Sequence, residues 1–477
     1  MNKMLLIALF GFLWIPNASA SPTELPSVTH YSLQVRFFPK EGRIDAVAAV
    51  TVTNTSTETF SELPFLIYRL LDVEKVVDDQ GSRLRVNQTI TRLAGAEVHN
   101  LQANLVRVEL RKPLPPGAAI NLVLSYSGAI YGYPEVMQYV RDRISEKYSL
   151  MRPDALAYPM LAHPTHESWH KAYGHEHPFT YDLTATVPDG YFVACGGAQQ
   201  NVSTRDGLTT FVFKSKIPTW RIDVAAANFK VVKDEAKKLS VYVLPEDEKN
   251  AAAVLDGVRR AVKLYSALFG ELPDYQGYTV IEIPDGWGSQ ASDYYLLQVA
   301  STFDDVQHLA QLYHEVAHSW NVKPKADIQR SRWFDEAFAM YFQALAIREF
   351  EGEKAYQHEM DDDREYFIKR VNRDKRNFDT PIAEYGQYEL GGNSYTKGAW
   401  SLYVLHQLVG EETFKQIIRT FLSESRDKPA DFKDFARVVE RVSQRNLNKY
   451  FQEWFYTSVS SQLLVDKVPV TKIVKRY

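Results

Sequence analysis

One cysteine, Cys195, in 477 residues leaves no partner for an internal disulfide. Neither sign of charge is in excess: 55 Lys and Arg meet 59 Asp and Glu, a formal net charge of -4, and no run of like charges stands out. A nucleic acid or an anionic membrane would call for a basic face, so neither is expected as a partner. Beyond the first 20 residues no apolar run approaches the ~20 residues that a membrane-crossing helix needs. Internal repeats, low-complexity linkers and a phosphate-cradling glycine loop are missing too. So is any Ser/His/Asp or Cys/His arrangement of nucleophilic type. What remains is a globular composition, 45% apolar and 24% charged, in a chain long enough for two or three domains.

The N-terminus reads "MNKMLLIALFGFLWIPNASA", with Lys3, an apolar run from Leu5 to Ile15 and then Ala18-Ser19-Ala20. This is the layout of a secretory signal peptide, and the run is too short for a membrane anchor. Residues 1–20 are therefore expected to be removed near Ala20, leaving an exported protein, periplasmic or extracellular.

Two periodicities divide the rest. Residues 21–245 alternate and favour β-branched and aromatic side chains, as in "HYSLQVRFFP", "NLVRVEL", "INLVLSYSG" and "FTYDLTATVP", with turns such as "PPG" and "PDG" between several of them. Many short strands predict a β-sandwich-like domain. From 246 to 477 the pattern becomes helical. "NAAAVLDGVRRAVKLYSALFG" is an amphipathic helix stopped at Gly270, "YTVIEIPDG" is one strand, and helices are expected near 304–320, 333–350, 354–374, 396–409, 411–424, 430–442 and 446–457. The expected class is α+β multidomain, the β domain preceding a mostly helical one.

Within the helical half, "LYHEVAHSW" holds His314 and His318 four apart, with Ser301, Thr302 or Asp304 as the expected helix cap. Residues i and i+4 share a helix face, so both imidazoles can point at one ion. A catalytic zinc takes three protein ligands and keeps one position open, and Glu315 is placed to accept a proton from water there. A third ligand is available in "RSRWFDEAFAMYFQALA", where Glu336 lies 18 positions after His318. The alternative is that Asp335 and Glu336 are solvated charges at a helix N-terminus. Trp333, Phe334, Phe338, Tyr341 and Phe342 around Glu336 speak for a buried carboxylate with a charged partner instead.

"HEVAHSW" followed by "WFDEAFAMYF" resembles the HExxH-x18-E signature of the gluzincin aminopeptidases, the group of aminopeptidase N and leukotriene hydrolase. That group usually writes the second part W-L-N-E-G-F-A. The resemblance implies one catalytic Zn²⁺ held by His314, His318 and Glu336, with Glu315 as general base. The gap here is 17 residues, one short, with the trim placed in the intervening loop. "NSYTKGAWSLYVL" resembles the family's Y-x-K-G-A stretch, which makes Tyr395 the implied oxyanion donor; a capping or core tyrosine is the plain alternative among 28. "PDALAYPMLAHP" and "YSLQVRFFP" also find counterparts, so the likeness covers most of the chain and implies a thermolysin-like catalytic domain over 246–477. The large C-terminal helical domain of many members is expected to be missing here.

Two departures bear on chemistry. The family's G-x-M-E-N loop binds the substrate's free amine through a glutamate 24 residues before the first zinc histidine. Here that position is Gln290, in a loop reading Gly288-Ser289-Gln290-Ala291. A neutral amide replaces an anion there, and charge-assisted hydrogen bonds are about twice as strong as neutral ones. Gly288 and Gln290 are the expected substrate contacts, with Asp293 as a substitute anchor. The second departure is Gln343, seven residues after Glu336, where the family often carries an acid. The implied function is a secreted zinc metallopeptidase acting on peptide or protein substrates. A non-peptidase zinc hydrolase and a catalytically weak peptide-binding protein on the same fold are the alternatives. "HPTHESWHKAYGHEH", residues 163–177, is expected to be an irregular exposed loop, with a metal-capturing loop as the other reading.

Overall fold

The computed structural model describes residues 24–95, 100–173, 178–292, 294–325, 327–328, 331–388, 390–426 and 428–477. The expected leader, Asp293, His175 and His177 lie outside the described residues.

The N-terminal half is built on a seven-stranded sheet. Its order is Ala198–Arg205, Leu208–Lys214, Thr180–Pro188, Ser27–Phe38, Arg43–Thr53, Ala119–Ala129, Leu71–Val77. Alternation along Ser27–Phe38 sends Leu33, Val35 and Phe37 inward. They share one core with Leu63, Leu66 and Val106 of a second, four-stranded sheet (Arg85–Arg92, Gln102–Leu114, Phe60–Tyr68, Met160–Leu161). Two sheets facing across a common core make the expected sandwich.

A five-stranded sheet organises the second half, in the order Lys230–Asp234, Leu239–Val243, Tyr278–Ile283, Tyr295–Val299, Gln290–Ser292. The middle three strands run parallel. Tyr278–Ile283 is buried along its whole length. Tyr278 and Val280 join the helical core, while Ile281 and Ile283 join an apolar seam with Leu150, Ala225 and Phe229 of the β half. Parallel strands covered on both faces read as mostly apolar runs, as "YTVIEI" does apart from the buried Thr279 and Glu282. The sheet takes its first two strands from before residue 246, so helical periodicity begins later than the sheet it packs on.

The helices are α1 (His166–Tyr173), α2 (Ala251–Phe269), α3 (Ala310–Ala317), α4 (Phe338–Glu351), α5 (Glu353–Arg373), the single-turn α6 (Arg376–Asp379), α7 (Asn393–Val409), α8 (Glu411–Glu424), α9 (Phe432–Ser443), α10 (Asn448–Phe455), α11 (Val459–Val465) and α12 (Val470–Ile473). No helix among the described residues is long and apolar enough to cross a membrane.

Four local expectations are corrected. Three strands, not one, follow residue 249: Gln290–Ser292 is only three residues long and Tyr295–Val299 is buried with little alternation, so neither shows a two-residue period. The helix expected from 304 begins at Ala310, after a 3₁₀ turn at Ala300–Phe303. Between them Asp305 Oδ1 accepts from the Gln307 amide (3.0 Å), a local turn that competes with the helix. Leu309 therefore stands at the N-cap with no side-chain cap, in place of Ser301, Thr302 or Asp304. The turn before α4, Trp333–Ala337, is π-helical. Finally, part of the histidine-rich segment is helix α1 rather than irregular loop, its first turn held by Thr165 Oγ1 accepting from the Ser168 amide (3.1 Å).

Candidate metal centre

Helix α3 is pinned from behind. Tyr265 of α2 donates to the carbonyls of Tyr313 (3.1 Å) and Phe342 (3.2 Å), tying α2 to α3 and α4. At Gly257 of α2 a Cβ would come within 2.6 Å of Leu309 Cδ1, so any side chain there would displace Leu309. The π-helical turn is locked by Trp333, which packs on Phe334, Phe338, Phe432, Phe435 and Phe455 and donates from Nε1 to Ser401 Oγ (3.1 Å). Against that turn lies Gly398 of α7, where a Cβ would meet Ala337 Cβ at 2.6 Å. This contact brings the start of α7, with Tyr395, up to Glu336.

The result is a convergence of three side chains. The His314 and His318 rings stand 4.8 Å apart and nearly perpendicular. Glu336 Oε2 lies 3.3 Å from His314 Nε2 and 3.7 Å from His318 Nε2, and one ligand atom from each residue falls within 4.8 Å of the others. Zinc–donor bonds of 2.0–2.1 Å in a tetrahedron put neighbouring donors roughly 3.3 Å apart. Glu336 is 3% exposed, which removes the solvated-charge alternative, and its Oε2 is buried without a hydrogen-bond partner. A buried, unpartnered carboxylate oxygen facing two imidazole nitrogens suits a cation. His314, His318 and Glu336 therefore fit a zinc ion, as the resemblance implied.

The remaining contacts define what surrounds the centre. Glu336 Oε1 accepts from the Tyr395 hydroxyl and from Arg332 Nη2 (2.5 Å). The Tyr395 ring is parallel to that of His314, centroids 6.2 Å apart. Burial first, with Glu336 adding and Arg332 opposing, pushes the Tyr395 phenol above its ordinary range, so it stays protonated. Glu315 is buried, its Oε1 accepting from Gln311 Nε2 at 3.3 Å. Burial raises its carboxyl above the usual range while His314 and His318 pull it down. His318 Nδ1 meets Asp335 Oδ1 at 2.7 Å, whereas His314 Nδ1 is buried and unpartnered. Gln343 turns away to Glu359, Nε2 to Oε1 at 2.5 Å.

Gln290 sits in the edge strand that lies against α3, but its amide is already engaged. Its Oε1 accepts from Arg152 Nη1 (3.0 Å) and Arg221 Nη2 (2.7 Å), and its Nε2 donates to Asp154 Oδ1 (2.7 Å). Arg152, fully buried, also holds Asp142 Oδ1 (2.8 Å) and the carbonyls of Tyr139 and Trp287 (both 2.8 Å). Arg221 grips Asp223 (2.7 Å) and Asp154 (2.8 Å), and Tyr295 donates to Asp223 (2.7 Å). Gly288, at φ +73°, lets the loop pass Tyr139, whose Cβ lies 3.0 Å from where a side chain would start. Sequence reasoning missed Arg152 and Arg221. The signal was there: "LMRPDA" and "TWRIDVAAA" each place an arginine beside apolar residues with an aspartate two positions on, and buried arginines are seldom unpaired.

Residues 289–454 match the Peptidase family M1 domain. Over 275 residues the chain is 24% identical to Aminopeptidase 2, mitochondrial, of Saccharomyces cerevisiae, covering 54% of this chain and 29% of that protein. Over 311 residues it is 23% identical to glutamyl aminopeptidase of Homo sapiens, covering 58% and 31%. The chain thus spans about a third of the length of these relatives. An M1 zinc metallopeptidase from Deinococcus radiodurans shares the fold at a TM-score of 0.61 and 18% identity, over 92% of this chain and 94% of that one. A mutant of that protein, solved with Tyr-Ser-Ala as substrate, matches at 0.61 and 19%, over 90% and 94%.

Proposed function

We propose that the chain, whose residues 289–454 match the Peptidase family M1 domain, is a zinc metallopeptidase of that family hydrolysing peptide bonds by attack of water. The observation that carries this is the convergence of His314, His318 and Glu336, with Glu315 and Tyr395 beside them. Bound zinc would act as a Lewis acid towards the scissile carbonyl and the attacking water. Glu315, buried and one residue from His314, takes the proton from that water and returns it to the departing amine. The Tyr395 hydroxyl, now given to Glu336 Oε1, is the donor that turns to the developing oxyanion.

End preference is the finer part of the proposal. In place of a carboxylate for a free amine, the loop offers Gln290 Oε1 already accepting from two guanidinium groups. An ammonium brought to that oxygen would meet two like charges, so we propose that hydrolysis does not depend on a free N-terminus. A tripeptide such as Tyr-Ser-Ala and its N-acetylated form, compared for kcat/KM, test this. Expected ratios lie within about tenfold of one another; a preference for the free amine of more than about a hundredfold defeats it. We also propose export with removal of residues 1–20, on the layout of the leader; N-terminal sequencing of protein from the extracytoplasmic fraction checks it. Full loss of turnover on chelation, with return on zinc addition, tests the metal requirement.

A further inference from the structure

A histidine that ligates a metal through one ring nitrogen is aimed by whatever holds the other. The two histidines here are treated differently. His318 Nδ1 donates to Asp335 Oδ1 at 2.7 Å, leaving Nε2 for the metal side. The other oxygen of Asp335 accepts from Arg332 Nη2 at 2.7 Å, and the same guanidinium reaches Glu336 Oε1 at 2.5 Å. Arg332 enters this turn at φ +57°, a left-handed conformation that non-glycine residues seldom adopt. By contrast, His314 Nδ1 is buried with no partner, and Gln343 is spent on Glu359.

The acid beside the ligand turn is Asp335, while residue 343 is a neutral glutamine engaged elsewhere. We infer that Asp335 is a positioning residue, the carboxylate that orients His318 toward zinc, with Arg332 fixing Asp335 in turn. The π-helical turn Trp333–Ala337 thus delivers both a metal donor, Glu336, and the group that aims a second donor. The inference rests on the zinc-site reading above.

The test is the zinc dissociation constant of the purified chain, measured by competition with a chromophoric chelator after metal removal, for wild type, Asp335→Asn and Asp335→Ala. The melting temperature of each metal-free sample and the visible spectrum of each Co²⁺ form are recorded alongside. The expected result is about tenfold weaker zinc binding for Asn, which keeps an acceptor, and up to about 100-fold for Ala. The Co²⁺ bands should shift while the metal-free melting temperatures stay level. Equal zinc affinities in all three proteins overturn the inference, as does a loss confined to melting temperature. A wild type that binds no zinc overturns the metal-site reading itself, and this inference with it.

Discussion

Two polar clusters adjoin helix α3 and the strand packed on it, and they are opposites. Around Glu336 the charges are left incomplete: one carboxylate oxygen has no hydrogen bond and two imidazole nitrogens face it. Around Gln290 Oε1, two arginines and an aspartate close on one amide, and the charged groups satisfy each other. A buried group without a partner is costly in the free protein, and that cost is what a ligand relieves on binding. The Arg152–Gln290–Arg221 cluster has nothing left to relieve. The comparison separates a site that awaits a cation from one that has filled itself.

The contrast can be broken or sharpened by substitution. Glu315→Gln should lower kcat by about 10²–10⁴-fold with zinc content unchanged, read by steady-state kinetics and metal analysis of the same sample. Arg221→Met should leave Asp154 and Asp223 buried against an apolar side chain and cost about 3–5 kcal/mol in denaturant unfolding. A cost under about 1 kcal/mol would mean the cluster is not held by its ion pairs.

Asp142 gives a pH signature. Its burial, partly opposed by Arg152, pushes its carboxyl from 3.8 up to about 6 in the folded protein. A folded pKa above the unfolded one adds stability below about pH 4 that is lost as pH rises through 6, on the order of 3 kcal/mol. Asp142→Asn should therefore show a shallower decline over that interval, seen in unfolding midpoints at successive pH values. Gly398→Ala should have the smallest effect, about 1–3 kcal/mol, because the new methyl meets Ala337. Lower turnover is expected with it, since Tyr395 is one helical turn away.

What could be read in advance follows the range of each interaction. His314 and His318 are four residues apart, so helical geometry alone pairs them. Glu336 needed only the next helix, and the apolar residues flanking it announced burial. The fold class followed from periodicities of two and 3.6 residues. Gln290 was expected in a substrate-binding loop; it lies in the edge strand Gln290–Ser292, and its engagement was hidden because Arg152 and Arg221 are far away in sequence. The start of α3 was misjudged because a side-chain acceptor, Asp305, outcompeted the helix locally. Asp335 was visible as an acid, yet its contact with His318 depends on a π-helical turn that no residue pattern signals.

The sheet that straddles residue 246 has a practical corollary for anyone dissecting the protein. A fragment begun at 246 would lack Lys230–Asp234 and Leu239–Val243, turning Tyr278–Ile283 into a bare edge that carries buried apolar residues on both faces. Such an edge is a template for intermolecular pairing, and the fragment should aggregate. Beginning instead at Lys230 keeps that edge covered, although Ile281 and Ile283 would still lose their apolar cover from the β half.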